Sequence, residues 1–158
     1  MSSATTRPPK IPPSWFVHTA WRVHRALYRL SGGRFLWDTS SKRGWGALRL
    51  TTTGRTSGQE RSVILGYVAD GANLVTIAMN GWQEGHPAWW LNLQEHPDAV
   101  VRLARRPPRP VRARQAVREE RDRLWQVWRA IDPQLDGYAD QRAIEAPVVV
   151  FEPRDGTV

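Results

Sequence analysis

Short apolar segments separated by turn-forming residues run through most of the chain. Runs of β-branched and aromatic residues bounded by Gly, Pro or Asp are typical of strands, and they predict strands at residues 45–53, 61–69, 73–79, 98–103, 111–117 and 147–151. Asp70-Gly71 is the pair expected in a tight hairpin turn. Two segments have helical spacing instead, at 87–96 and 119–131. The second of these is predicted to place Leu124, Val127, Trp128 and Ile131 on one face.

The N-terminal part has a different pattern. Residues 1–13 contain four prolines and no periodicity, which predicts a disordered or extended arm. Ser14 is a suitable N-cap, and an amphipathic basic helix is predicted over 14–31 because apolar residues then recur at helical spacing up to Gly32-Gly33. This helix could pack on the domain, cover a pocket as a lid, or contact an acidic membrane surface through residues 14–30.

The order of elements predicts one domain over residues 14–158. The strands follow one another through short turns and do not alternate with long helices, which argues against a doubly wound parallel sheet. We therefore expect an α+β, mainly β fold, a small antiparallel barrel of about six strands with helices outside it.

Composition excludes several classes of chemistry. The 158 residues include no Cys, so disulfide scaffolds, thiolate zinc sites and cysteine nucleophiles are excluded. The four His lack metal-ligand spacing, and no nucleophile-elbow, Walker or Rossmann motif is present. No metal site is expected, and an enzyme of this sequence would depend on a bound cofactor. The N-terminus lacks the apolar core of a secretory signal and no apolar stretch is long enough to span a membrane, which predicts a cytoplasmic protein.

Positive charge is concentrated in two segments. The formal net charge is +8, with 11 bases and 2 acids in residues 1–61 and 10 Arg and 3 acids in residues 100–129. Such segments are compatible with nucleic-acid binding or with a site for a small polyanion. Aromatic residues are sparse among the Arg of the second segment, so nucleic acid is not an expected partner.

The segment LTTTGRTSGQER, residues 50–61, is the strongest candidate for an anion site. Gly54 and Gly58 allow successive N–H groups to point at one anion. Hydroxyl and guanidinium donors are supplied by Arg55, Thr56, Ser57 and Arg61. The alternative is an ordinary polar hairpin loop.

The segment AMNGWQEGHPAWWLNL, residues 78–93, combines a predicted Asn80-Gly81 turn with three Trp. Trp rings can form the walls of a pocket for a planar ligand, and Asn92 offers a polar contact. The alternative is that Trp89 and Trp90 fill the core of a small barrel.

These segments, in this order, resemble the deazaflavin-dependent nitroreductase and quinone reductase family. The likeness covers LTTTGRTSGQER, the Asp70-Gly71 hairpin, AMNGW, PAWWLNLQEHPDAVV and the closing PVVVFEP. It implies a split β-barrel of actinobacterial type that uses reduced coenzyme F420, an 8-hydroxy-5-deazaflavin, as hydride donor. It also implies a hydrophobic, electron-poor acceptor such as a quinone, enone, imine or nitro compound.

The resemblance also implies roles for individual residues. The coenzyme's phosphate and acidic tail would contact Arg55, Thr56, Ser57 and Arg61, and the deazaflavin edge would run along Ile77, Ala78, Met79 and Asn80. The ring pocket would be closed by Ala88, Trp89, Trp90 and Asn92. Tyr138 is the one tyrosine that matches the family's acceptor region, and it is the candidate catalytic donor. The sequence departs from the family at Thr56, Met79 and Asn80, and it places Glu60 beside the anion loop.

Two other interpretations remain open. The protein could bind or carry the deazaflavin without catalysis, or the same barrel could use FMN or haem. The sequence is compatible with a monomer or a homodimer.

Overall fold

Six antiparallel strands close into a barrel in the computed structural model, which describes residues 8–13, 15–16, 19–20, 22–23, 36–40 and 42–155. The strands are β1 (Gly46–Thr53), β2 (Glu60–Asp70), β3 (Asn73–Ile77), β4 (Asp98–Arg102), β5 (Arg109–Gln115) and β6 (Val148–Pro153). Their order around the barrel is β1-β2-β3-β6-β5-β4, and β4 pairs with β1 to close it. The mainly β barrel predicted from the sequence is confirmed.

Within residues 42–155, three α-helices lie outside the strands: α1 (Ala88–Glu95), α2 (Arg118–Ile131) and α3 (Leu135–Ala139). The first two match predicted helices. The short helix α3 was not predicted, because five residues that include Gly137 give no readable helical period. A 3-10 turn, Asn80–Trp82, takes the place of the predicted Asn80-Gly81 turn.

The face of α2 differs from the prediction at one position. Leu124, Trp125 and Trp128 are buried, whereas Val127 is exposed. The indole N–H of Trp125 donates to Asp136 Oδ1 in α3 at 2.8 Å, which gives this large ring a polar partner. Val127 was therefore wrongly assigned to the buried face, and Trp125 was missed.

Alternation along the strands divides the apolar residues among three clusters, two large cores and a small one formed by Leu36, Ala47 and Ile64. One fills the barrel and includes Leu48, Leu50, Leu65, Val101 and Phe151. The second lies between the barrel wall and α2, and its members include Val68, Val75, Val150, Leu124 and Trp128. Successive side chains of a strand point to opposite faces, so strands such as β3 and β6 contribute to both cores.

The pairing of β2 with its two neighbours is unequal, and this places the candidate site. With β1 it pairs from Glu60 to Tyr67, but with β3 it pairs only from Val68 to Asp70. Continuing that register places the end of β3 level with Gly66, whose carbonyl accepts a hydrogen bond from Thr76 Oγ1 at 2.7 Å. On this edge, residues 60–65 of β2 pair with no other strand in the described part of the chain.

Residues 8–13 have no helix or strand and lie against the domain. Ile11 packs on the second core, Gln83 Nε2 donates to the carbonyl of Pro12, and Gln141 Nε2 donates to that of Pro9, both at 2.9 Å. Side-chain amides thus hold this part of the predicted arm, which the sequence alone suggested could be disordered.

Only part of the predicted helix 14–31 falls within the described residues. The pairs 15–16, 19–20 and 22–23 are helical, while residues 14, 17, 18, 21 and 24–31 lie outside the description. Within the described ranges, no helix combines the length and the apolar character needed to cross a bilayer.

Candidate functional site

The loop between β1 and β2 is sharply bent around its two glycines. Gly58 N–H donates to the carbonyl of Gly54 and Gly54 N–H donates to that of Gln59, both at 2.8 Å. Gly58 has φ +67°, a conformation that L side chains rarely adopt. A Cβ on Gly54 would lie 2.9 Å from Ser57 Oγ and 3.1 Å from the carbonyl oxygen of Gln59. Both positions therefore favour glycine for this loop shape.

The bend leaves the polar side chains of the loop in solvent. Arg55, Thr56, Ser57 and Arg61 are all exposed, and Ser57 Oγ accepts a hydrogen bond from Gln59 N–H at 3.3 Å. Glu60 is exposed as well and begins β2. The loop can therefore offer guanidinium and hydroxyl donors to an anion from solution.

A hydrogen-bond network joins this loop to α1. Asn92 Oδ1 accepts from the backbone N–H of Arg55 at 3.2 Å and from Arg55 Nη1 at 3.1 Å. Asn92 Nδ2 donates to the hydroxyl of Thr52 at 3.2 Å. The Asn92 side chain is buried, and Thr52 is buried in β1. Two segments 37 residues apart in sequence are thereby fixed to one another.

The two tryptophans of α1 have different environments. Trp90 is 5 % exposed and lies in the core of the barrel, which is one of the two roles that the sequence left open. Trp89 is half-buried and packs against the edge of that core, with its ring centroid 6.5 Å from that of Trp90. Ala88 is exposed at the start of the helix. Ala88 and Trp89 thus remain partly or fully exposed, and Asn92 contacts the loop. Trp90 anchors the same helix to the barrel core.

The segment predicted to follow the ring edge leaves β3 and turns abruptly. Ile77 and Ala78 are buried, Met79 is half-buried, and Asn80 is exposed. The N–H of Ala78 donates to the carbonyl of Pro147 at 2.9 Å, and that of Met79 donates to Ile77 at 3.0 Å. These two donors already have partners within the chain.

Tyr138 lies beside the turn that follows this segment. Its ring stacks on that of Trp82, with centroids 5.6 Å apart and planes 9° from parallel. Its hydroxyl donates to Gln134 Oε1 at 3.3 Å. Tyr138 is half-buried, and it packs on the same apolar cluster as Met79. The fold therefore brings Tyr138 to the segment at 77–82.

The unpaired edge of β2 connects the two groups of residues. The Gly54–Gln59 loop ends where β2 begins, and β3 ends level with Gly66. Six residues of strand separate these points, which corresponds to about 20 Å. The loop and the 77–80 segment therefore lie at the two ends of one strand edge, a spacing suited to an elongated ligand.

Some residues of this arrangement were not identified from the sequence. In the sequence, Thr52 has no feature that distinguishes it from other strand residues, and only the fold brings its hydroxyl within hydrogen-bond distance of Asn92. Arg142 donates to the carbonyl of Gly85, and Glu84 accepts from the N–H of Ala143. The partners lie more than fifty residues apart, and the sequence contains no signal for either bond. Among the described residues, no group of three or more His, Asp or Glu side chains is arranged to hold a metal ion.

Comparisons with a family model and with a known protein lead to the same family. The family model described as F420H(2)-dependent quinone reductase matches residues 20–153. An F420H(2)-dependent quinone reductase of Mycobacterium tuberculosis (strain H37Rv) is 31 % identical over 140 residues, which cover 84 % of this chain and 89 % of that protein.

Solved structures resemble the barrel as well. The structure of the F420-H2-dependent reductase FDR-A aligns with a TM-score of 0.61 and 28 % identity, covering 67 % of this chain and 93 % of its own. A structure described as a domain-swapped dimer aligns with a TM-score of 0.63 and 25 % identity, covering 88 % of this chain and 100 % of its own.

Proposed function

Because this chain belongs to the F420H(2)-dependent quinone reductase family, we propose that its Gly54–Gln59 loop, its 77–80 segment and α1 hold the coenzyme, with Tyr138 on the acceptor side. The protein is an oxidoreductase, and reduced coenzyme F420 supplies the hydride when bound. The chain itself has to bind the coenzyme, orient the acceptor and donate to the acceptor's oxygen.

The network of Arg55, Asn92 and Thr52 is the observation on which this placement depends. Asn92 fixes the backbone and the guanidinium of Arg55, so the positive charge is held in place before any ligand arrives. A pre-organised donor loses less conformational entropy when it binds an anion. The phosphate and acidic tail of F420 fit this loop, since Arg61 and the hydroxyls of Thr56 and Ser57 are exposed beside it.

The planar ring fits the opposite end of the unpaired β2 edge. The half-buried Met79 offers an apolar side chain there, with the buried Ile77 and Ala78 beneath the backbone that borders the ring, and Ala88 and Trp89 can close the pocket from α1. Trp90 contributes from within the barrel core, where it supports the helix. Asn80 is exposed and can contact either the ring or the acceptor.

The acceptor side is formed by aromatic rings and one hydroxyl. A quinone ring can pack near Tyr138 and Trp82, and the Tyr138 hydroxyl can donate to the oxygen that gains negative charge as hydride is transferred. The same arrangement suits enones, imines and nitro compounds, because each develops negative charge on a heteroatom or an adjacent carbon. Quinone-like acceptors are the class that the family supports directly.

Two further properties are part of this proposal. Trp15 and Phe16 are 68 % and 52 % exposed, which supports a peripheral membrane contact through the basic helix predicted from the sequence over 14–30, by an otherwise cytoplasmic protein. The likeness to a domain-swapped dimer supports a homodimer over a monomer.

Optical titration of the purified protein with F420, FMN and haem tests the cofactor assignment. We expect F420 to bind in preference to the other two, and acceptors can then be screened by loss of the reduced coenzyme. Binding of FMN or haem in place of F420 would overturn the assignment. Binding of F420 without turnover of any acceptor would support a carrier.

Arg55→Ala and Arg61→Ala test the placement of the acidic tail. Loss of one charge-assisted contact should raise the Kd for F420 by about 10- to 100-fold, with the melting temperature nearly unchanged because both side chains are exposed. Arg123→Ala is the matched control, since this exposed arginine pairs with Asp70 at the distant β2–β3 hairpin. Equal affinity in Arg55→Ala and the control would contradict the placement.

A further inference from the structure

The turn that follows β3 has an unfavourable backbone conformation. Asn80, Gly81 and Trp82 have φ values of 49°, 61° and 62°, so three successive residues occupy the left-handed region. Asn tolerates this region, but it is disfavoured for a bulky side chain such as Trp. A conformation of this kind persists only where the surrounding structure imposes it.

Hydrogen bonds inside the turn account for part of that restraint. The N–H of Trp82 donates to Met79 at 2.7 Å and the N–H of Gln83 donates to Asn80 at 3.2 Å. Asn80 Nδ2 donates to the carbonyl of Glu84 at 3.1 Å. All of these partners belong to the same short segment, so they could move together.

Two reciprocal bonds fix the segment to a distant part of the chain. Arg142 Nη2 donates to the carbonyl of Gly85 at 2.8 Å, and the N–H of Ala143 donates to Glu84 Oε1 at 2.9 Å. Each bond spans more than fifty residues. They connect the turn to the chain just after α3, the helix that carries Tyr138.

The Arg142 side chain is unusual because it is buried. It is 8 % exposed, and its Nε and Nη1 have no hydrogen-bond partner within the described part of the chain. Burial lowers the pKa of this guanidinium from its ordinary value, with the carboxylate of Glu84 acting in the opposite direction. A long cationic side chain could reach solvent at little cost, so its burial against Gly85 requires a compensating role.

We propose that Arg142 is a positioning residue for the acceptor side of the site. Its bond to Gly85 and the Glu84 bond to Ala143 hold residues 80–85 against the chain that follows α3, and this fixes the left-handed turn and the stacking of Trp82 on Tyr138. Arg142 itself touches neither the coenzyme nor the acceptor. The inference rests on the proposed function, because it assigns the Trp82–Tyr138 pair to the acceptor.

Hydrogen exchange measured by mass spectrometry tests the positioning role without any ligand. In Arg142→Gln, peptides that contain the amides of Trp82 and Gln83 should exchange about tenfold faster than in the wild type, because the turn opens locally. Arg142→Lys keeps a cationic donor and should recover part of the protection. Peptides from β5 and β6 should not change, and Arg123→Gln is the matched control.

Kinetics with menadione as the quinone probe give the second readout. We expect kcat/KM for menadione to fall about tenfold or more in Arg142→Gln, since small displacements of positioning groups have effects of this size. The Kd for F420 should rise less than kcat/KM falls, because the acidic-tail loop is unaffected and only the Met79–Asn80 end of the ring segment borders the turn. A loss that appears only in coenzyme affinity would overturn the inference.

Other outcomes are equally decisive. Wild-type exchange at Trp82 and Gln83 in a folded Arg142→Gln would show that Arg142 does not fix the turn. If Arg142→Gln does not fold, Glu84→Ala replaces it, since Glu84 is exposed and its loss breaks the partner bond; unchanged exchange in that variant would also overturn the inference. If the wild type fails to bind F420, the proposed function is wrong, while the exchange data still report on the turn.

Discussion

Asn92 is a buried amide that makes three hydrogen bonds. Its oxygen accepts twice from Arg55 and its nitrogen donates once to Thr52, so about three of the four hydrogen bonds that an amide can make are formed within the chain. A buried amide of this kind is favourable only while its partners are in place. It therefore links the stability of the α1 contact to the geometry of the Gly54–Gln59 loop.

Asn92→Ala should thus affect both stability and binding. Removal leaves the Thr52 hydroxyl buried without this partner, and the free energy of unfolding should fall by about 1–3 kcal/mol. The Kd for F420 should rise because Arg55 is no longer fixed. Urea denaturation and fluorescence titration measure the two effects, with Asn73→Ala in the β2–β3 hairpin as control. Unchanged stability would show that the network makes no net contribution to the free energy of unfolding.

Tyr138 combines a stacked ring with a polar group, and Tyr138→Phe separates the two. The phenyl ring preserves the contact with Trp82, but the donor is lost, so kcat for a quinone should fall by about 10²-fold or more if the hydroxyl acts as proton donor. The Kd for F420 should not change. Tyr138→Leu, which removes the ring as well, should raise the KM for the quinone. Wild-type turnover in Tyr138→Phe would exclude the hydroxyl from the reaction.

At the scale of elements, Arg114 connects β5 to two neighbours. Its guanidinium donates to both carboxylate oxygens of Glu120 in the first turn of α2, at 2.6 and 2.8 Å, and its Nε donates to Glu152 in β6 at 2.6 Å. The hydrogen bonds from Arg114 lower the pKa of the Glu120 carboxyl below its ordinary value. The ionised form of Glu120 is therefore stabilised by folding.

This pKa shift predicts a pH dependence of stability. A carboxyl whose pKa is lowered in the folded state contributes stability above its unfolded-state pKa, and the contribution is lost as the pH falls through the folded-state value. Near pH 7, Glu120→Gln should lower the free energy of unfolding by about 1 kcal/mol, a modest value because both partners are partly exposed.

Glu119→Gln is the matched control, because Glu119 lies in the same first turn of α2. Denaturation at a series of pH values should show the Glu120→Gln effect shrinking towards that of the control in acid. An effect that is independent of pH would contradict the ionic origin.

At the scale of the whole molecule, the excess positive charge is partly neutralised within the fold. Five of the ten arginines in residues 100–129 form ion pairs with carboxylates, namely Arg112, Arg114, Arg121, Arg123 and Arg129. Their partners come from separate parts of the chain, so the basic segment is not one continuous cationic surface. This arrangement favours structural roles for much of the arginine content.

Binding to nucleic acid should accordingly be weak. We expect this protein to bind a fluorescent DNA duplex no more tightly than nonspecific DNA-binding proteins do, with a Kd of about 10⁻⁶ M or weaker at physiological salt. Anisotropy titrations at increasing salt measure this affinity. A much tighter Kd with a steep salt dependence would indicate a nucleic-acid partner.

The sequence by itself determined the strands, the helices α1 and α2 and the bent loop. Alternation of apolar residues, the Asp70-Gly71 turn and the paired glycines of the Gly54–Gln59 loop are local features, and local sterics and solvation dictate their conformation. The candidate anion-binding residues could be proposed for the same reason, since glycine and donors lie together in one short segment.

Only the tertiary structure decided which residues meet. The contact of Arg55 with Asn92, the choice of Trp125 over Val127 for the buried face of α2, the position of Trp90 in the barrel core and the bond from Arg142 to Gly85 all depend on how the strands close. Such pairs are far apart in sequence, and their energies come from burial and hydrogen bonding that exist only after the barrel has formed. Local pattern therefore specified the parts of the site, and barrel closure specified their arrangement.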